Sequence, residues 1–549
     1  MFSEGPGLSS GKPRVIGSGS FAREGSAGVA ALAIAVAFAF LASVAPSVLS
    51  PRTCLAREAQ VRGSFRTTDL YNTKLGATVL DGRLDTEIEF GRFLLGGAWR
   101  GYHLSDKNYN PRGIEYPQPR IKHRYAEMRL EGMGGEAYLA TRVGDFFATL
   151  DRGLTLRSFE EADLELDTFL DGILIEAEAP ADFWAGARGD SGAGSASSGR
   201  AGRVRITALS GEVKERISDV RSKEHKVSGG HIGYVREGLF SVGASALARR
   251  VKLEDLEVAL PPERRTFNDR VFGGEAEAWL SVLHVAGDYA YRKGDYYPSQ
   301  GEIPGHAGYA TGTLTLPGIT LVGEYKDYRV FDDLLVNPPT CVMEHAAPLM
   351  NRVTHEVDLN DERGFLVEGE VSLIGGLPLR GGASEARREN GDLAHWEMFG
   401  YAEHAAGGLG TLGLEGSWSR EYVLGKFTEF QTAMLETELG VAEDALPMEF
   451  GLGGQRVEEP SGAAFENYLA SVAWYVHPAV SVSAVGETTT EEGLDRDFWL
   501  FGEVGLAIRQ GLDALVGFGT ERGGKKCSGG VCFTEPEFTG ARVRLLMSF

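Results

Sequence analysis

After Pro51 the chain has no apolar run long enough to cross a bilayer as a helix, which takes about 20 residues. Its mean hydropathy is slightly polar. A bundle of membrane helices is therefore excluded. Positive charge is in deficit, with 55 Lys and Arg against 77 Asp and Glu. Nucleic-acid binding is excluded with it, because neutralising phosphates needs the opposite sign. Acidic loops that keep a surface protein soluble explain the balance most simply; a lumen that favours cations is the sharper reading. Gly-x-Ser-x-Gly and phosphate-cradling glycine loops are missing, so serine-hydrolase and nucleotide chemistry lose their motifs. No repeat of fixed period is found, which excludes a solenoid.

Cysteine is scarce, at 4 in 549 residues, so no disulfide framework organises the fold. Cys54 lies beside a targeting segment and Cys341 reads as a loop thiol. Cys527 and Cys532 stand close together in a Gly/Lys/Ser-rich stretch. In an oxidising compartment they can close a small disulfide loop. Zinc would need two more soft ligands, and none is near. No cofactor or metal is expected from these spacings.

The N-terminus reads as an address. Lys12, Arg14 and Arg23 precede an uncharged, Ala/Val/Leu-rich run over 27–41, the layout of a secretory signal. Cleavage after Ala56 fits the small residues Cys54 and Ala56. An uncleaved anchor is the alternative, since the run is nearly long enough to span. Residues 1–56 are therefore set apart from the fold, which occupies 57–549.

What the chain has in quantity is glycine, 74 residues, about twice the usual share, and alternation. Leu84, Thr86, Ile88 and Phe90 alternate with Asp85, Glu87 and Glu89; Leu512, Ala514, Val516 and Phe518 alternate with Asp513, Leu515 and two glycines. Period two marks strands with one apolar face. Amphipathic helical stretches are rare, the best being 427–439. The last strand puts Ala541, Val543, Leu545, Met547 and Phe549 on one side and Gly540, Arg542, Arg544, Leu546 and Ser548 on the other. A terminal strand ending on an aromatic resembles the C-terminal signal that Gram-negative assembly machinery reads on outer-membrane barrels. Partners implied are that machinery, through Phe549, and outer-membrane lipid or lipopolysaccharide.

Connections sort by parity. Back from the C-terminus, 521–537 is long, 509–511 tiny, 488–497 longer, 477–479 tiny, 423–464 very long and 405–408 short. Upstream, 237–238, 281–283 and 317–318 are short, whereas 252–268, 294–304 and 331–363 are long. Tight periplasmic turns at one rim and long loops at the other are the layout of a membrane barrel. A sandwich or propeller has no reason to sort its connections this way. A Gly/Ser/Ala insert at 190–202 falls where a short turn is expected and reads as a flexible linker. The fold expected is all-β: a large transmembrane antiparallel up-and-down barrel of about 22 strands, within roughly 18 to 26. Tyr289, Tyr325, Trp418 and Trp499 are among the aromatics near strand ends, suited to interfacial girdles.

Two segments stand apart. One, 144–172, carries Gly144, Asp145, Phe146, Arg152, Gly153 and Leu154; the other, 337–364, carries Asn337, Pro338, Pro339, Glu344, His345, Asn351, Arg352, His355 and Asp361 to Gly364. These resemble motifs of a family of uncharacterised Gram-negative outer-membrane β-barrel-like (porin-like) proteins. The resemblance implies location and architecture and transfers no activity. Asp151 stands where the family pattern has glycine, which puts the local turn in question.

In 331–363, Glu344, His345, Arg352, His355, Asp361, Glu362 and Arg363 are read as a candidate constriction loop, with Arg352 and Arg363 facing the acids across the lumen. His345 and His355 are too far apart for one helical face, and Arg363 occupies the place a calcium loop gives to glycine. In 144–170, Asp145, Arg152, Glu160 and Glu161 belong either to a loop plugging the lumen or to an exposed one. The function expected is a porin-like channel for small solutes, cation-preferring if the lumen is acidic, and not an enzyme. The alternatives are an outer-membrane enzyme working in the long loops, or a structural or surface-binding barrel. Clustering of Glu344, His345, His355 and Asp361 would favour the enzyme.

Overall fold

The computed structural model describes residues from Gln60 to Phe549, apart from stretches of several connections, the longest being 105–119 and 182–201. The signal segment and nearly all of the 190–202 insert lie outside the described residues. Among the described residues, 24 long antiparallel strands follow one another around a single closed barrel. The ring closes where Gln60–Asn72 pairs with Phe538–Ser548, from Ser64 opposite Ser548 to Asn72 opposite Gly540. Closure leaves no sheet edge, so each backbone polar group of the wall finds a partner without water.

The strand number exceeds the expected one of about 22, and 423–464 explains the difference. That stretch is not a loop. It holds the hairpin Lys426–Leu439 and Met448–Glu458. Its alternation is weak for a physical reason. Leu435 and Leu452 face outward, yet the inward Met434 is buried as well. With apolar groups on both faces of a strand, period two fades.

The outer face is apolar at the waist. Val504, Val516 and Val543 align across three strands and are all exposed. Leu321, Tyr325, Phe365, Val367, Leu412 and Leu414 continue the belt. Outward charge gathers near the long-loop end, where Glu429 bonds Arg420 at 2.9 Å and Trp418 at 2.8 Å. In the terminal strand Arg542 and Arg544 turn inward, to Glu521 and, at 2.7 Å, Glu503. Tyr289, Tyr325 and Trp418 are exposed as girdle residues should be, but Trp499 is buried inside, beneath Arg522.

Connection lengths sort largely as expected. The turns after Phe90, Arg236, Leu280, Leu316, His477 and Arg509 are tight and share one rim. Gly91, Gly318 and Gly511 have φ of 64°, 74° and 74° there, a region closed to most side chains. The other rim carries the long connections, but Asn72 and Ala77 pair across four residues there and Val423 and Lys426 across two.

Candidate functional site: a plugged lumen with a charged groove

The hydrophobic core of this protein lies inside the barrel. Two long connections, 147–169 and 330–360, fold inward and pack together. Leu150, Leu154 and Leu156 come from the first, and Leu335, Val336, Leu349 and Met350 from the second. Inward side chains of the wall, including Leu247, Val271, Tyr328, Phe399 and Met434, complete the same core. Each buried Leu or Met contributes about 2 kcal/mol, so this is a packed plug. The two distinctive sequence segments are its halves. Arg157 N–H donates to Leu335 O at 2.7 Å, and Asn337 N–H to Gly153 O at 3.3 Å. Gly153 has a φ of 93°, and a Cβ there would stand 2.6 Å from Asn337 O. The Arg-Gly-Leu and Asn-Pro-Pro motifs therefore meet face to face.

Polar anchors tie the plug to the wall. Tyr328 Oη donates to Pro339 O at 2.7 Å, and Gln455 Nε2 to Leu349 O at 2.7 Å. Lys326 donates to Thr340 O and pairs with Glu362 at 2.5 Å. Glu362 also meets His355 at 2.9 Å, and the His355 ring stacks on His395. His345 is buried between Glu397 at 2.9 Å and Glu415 at 3.0 Å. Burial alone would lower its imidazole pKa, but the bonds to Glu397 and Glu415 outweigh that and hold it up at about 9.

The segment expected as a constriction loop folds into the barrel, where its residues take separate places. Glu344 lies outside the described residues. Arg352 ends the short turn Met350–Arg352. Asp361 opens the strand Asp361–Ser372 and accepts the Glu389 N–H at 2.5 Å. Arg363 is exposed on the outer face. Glu362 points inward, and the next residue of a strand must point out, so Arg363 does not face the acids across the lumen. His345, His355 and Asp361 have separate partners and form no single acid–base cluster.

In the first segment, Asp145 is the penultimate residue of the strand Tyr138–Phe146 and accepts the Arg124 N–H at 2.7 Å. Arg152 reaches Asp288 at 3.0 Å and Glu277 at 3.6 Å. Glu160 crosses to the wall, where Arg83 and Lys122 both bond it. Burial would raise its carboxyl, yet those bonds prevail and hold it at about 2. Glu161 forms a backbone pair with Leu166.

Core residues come from the wall between Phe146 and Leu469. The rest of the inner wall sets charged residues among buried apolar ones such as Leu94, Trp499 and Phe501. A cavity of about 610 Å³ is lined there by Arg62, Arg83, Asp85, Glu87, Tyr125 and Arg142, among others. Its charges are matched: Arg62 with Glu87 at 2.7 Å, Arg83 with Asp85 at 2.7 Å, Arg142 with Glu127 at 2.5 Å, and nearby Arg100 with Asp81 at 2.6 Å. The acidic excess of the chain is not focused on this groove. None of these basic residues was singled out from the sequence. Their signal was present, since Asp81, Arg83, Asp85 and Glu87 recur at every second position of one strand.

No protein-family model and no curated protein matches the sequence. Among solved structures, the PapC-containing P pilus tip assembly intermediate from E. coli is 11% identical with a TM-score of 0.50, covering 90% of this chain and 62% of that one. The PapC usher translocation pore is 10% identical with a TM-score of 0.46, covering 89% and 99%. The siderophore receptor PirA from Pseudomonas aeruginosa is 8% identical with a TM-score of 0.44, covering 89% and 80%. The fold is an outer-membrane-type β-barrel. At such identities the likeness extends to the fold alone.

At the long-loop rim, Gly524–Ser528 and Val531–Glu535 form a hairpin with Cys527 directly opposite Cys532. Directly opposed residues have Cα atoms about 4.5–5.5 Å apart, inside the range a disulfide spans. The expected result is that oxidised, unfolded protein shows neither Cys527 nor Cys532 to an alkylating reagent, as read by mass spectrometry. Alkylation of both without prior reduction would contradict it. Cys341 is different. It is buried, which pushes its thiol up to about 12 and leaves it inert.

Proposed function

We propose that the protein resides in the outer membrane of a Gram-negative cell and passes small polar solutes along the groove between plug and wall. One observation carries this reading. The hydrophobic core of the plug is built on the wall from Phe146 to Leu469, and in the remaining sector the plug reaches across through Glu160 to Arg83 and Lys122, beside a charged cavity of about 610 Å³. Opposed, paired charges in such a passage screen solutes by size and dipole more than by net charge. The apolar belt and the closed ladder support the membrane setting. His345 is held by Glu397 and Glu415 and His355 by Glu362, which favours anchoring over an enzyme of the long loops.

Single-channel recording of refolded protein in a planar bilayer tests the proposal. Small ohmic steps are expected, with a reversal potential near zero in a salt gradient. Silence at high protein load would overturn the channel reading. Strong cation selectivity would restore a focused acidic lumen and overturn the paired-charge account.

A further inference from the structure

Plug and wall also meet at a cluster that neither the groove nor the His345 anchor uses. Asp151 sits in the plug turn. His231, on the strand Ser222–Arg236, and Glu275, on Thr266–Leu280, project from the wall beside it. A carboxylate oxygen of Asp151, an imidazole nitrogen of His231 and a carboxylate oxygen of Glu275 all lie within 4.8 Å of one another. Oxygen and nitrogen ligands sit about 2.0–2.2 Å from a zinc-sized ion, which sets ligand–ligand edges of about 3.4 Å. His231 Nε2 and Glu275 Oε1 are already 3.3 Å apart. Side-chain adjustment of at most about 1.4 Å closes the other two edges, from Asp151 to His231 and to Glu275.

A second observation points to a ligand. Asp151 is only 3% exposed. Its Oδ2 accepts the hydroxyls of Ser245 and Thr155, while Oδ1 is buried with no hydrogen-bond partner among the described residues. Buried carboxylate oxygens without donors are rare and costly. Charge is also out of balance. Glu277 and Asp288 adjoin the cluster, so four carboxylates meet one guanidinium, Arg152, and two imidazoles, His231 and His284, the latter 2.6 Å from Glu277. Arg205, the next cation, is taken by Glu178 at 2.8 Å.

The backbone agrees. Asp151 and Arg152 have φ of 49° and 50°, a region that non-glycine residues enter at about 1–2 kcal/mol. Gly273 keeps the facing wall open, since a Cβ there would stand 2.0 Å from Asp151 Oδ2.

We propose that Asp151, His231 and Glu275 bind one first-row divalent cation, zinc in the first instance, and that the ion staples the plug to the barrel wall. One imidazole and two carboxylates without sulfur suit that class better than calcium or copper(I). The staple needs no channel activity, so its test is independent of the transport reading.

The test uses full-length refolded protein, stripped with EDTA and titrated with Co²⁺ alone by absorption and with Zn²⁺ alone by calorimetry. One equivalent should bind, with a visible Co²⁺ d–d band. Asp151→Asn keeps a hydrogen-bond acceptor and tolerates the left-handed turn, so it should fold. Asp151→Asn and His231→Gln should each weaken binding by about 100-fold or more while leaving the heat-modifiable gel shift of the barrel unchanged. Absence of stoichiometric binding to the unsubstituted protein overturns the proposal, whether or not the variants fold. So does undiminished binding in both variants.

Discussion

Excising both plug connections is expected to raise the single-channel conductance about tenfold or more, from a groove to the full bore of a 24-strand barrel. Geometry makes the excision feasible. Phe146 and Leu170 are cross-strand partners, so a short glycine linker can replace 148–168. Val330 N–H donates to Asn360 O at 2.9 Å and Phe331 N–H to Leu359 O at 3.0 Å, so 332–358 can be bridged in the same way. Both must go together. Removing one alone would strip Leu154 and Leu156 from Leu335 and Leu349 and leave half a core in water. The wall should survive, because its ladder closes without plug atoms. Leu247, Val271 and Met434 would then face water, and a lower melting temperature is expected from their exposure. Planar-bilayer recording of the doubly excised protein reads the result. Conductance equal to that of the intact protein would mean that the plug does not limit passage.

The barrel was legible because its signals are local. Alternation at Leu84 to Phe90 or Leu512 to Phe518, tight turns at 317–318 and 477–479, and the closing strand at Phe549 each need only a few consecutive residues. Legibility failed where the inner face became apolar. At Lys426–Leu439 Met434 packs on the plug from inside while Leu435 faces out, so the pattern resembled an amphipathic helix and two strands were missed.

The site was half legible for a related reason. Both plug segments stood out by composition and motif, and His345, His355, Glu362, Arg152 and Glu160 do enter the lumen. Their partners could not be read, because they come from the wall at long range: Glu397 and Glu415 for His345, Lys326 for Glu362, Arg83 and Lys122 for Glu160. Asp151, His231 and Glu275 are brought together by the plug's entry into the barrel, which no spacing rule encodes. Arg363 shows the opposite error. It was grouped with Glu362 by adjacency, and a strand separates adjacent residues onto opposite faces.

The His345 anchor should make plug retention depend on pH. Its imidazole pKa stands at about 9 in the folded protein against an ordinary 6.5. A group raised on folding contributes fully below its unfolded value and loses the contribution as pH climbs through the folded one. The contribution is therefore nearly complete at pH 6, falls steadily between about 6.5 and 9, and is gone above about pH 9. The shift corresponds to about 3 kcal/mol, enough to change the loosened fraction about a hundredfold. Cleavage of the plug by a protease active over this range should accelerate from about pH 7 and level off above about pH 9. In His345→Gln, Glu397 and Glu415 lose their buried cation, so the plug should already be loose at pH 7 and the pH dependence between 7 and 10 should flatten. Parallel cleavage curves in the two proteins would show that His345 does not hold the plug by its charge.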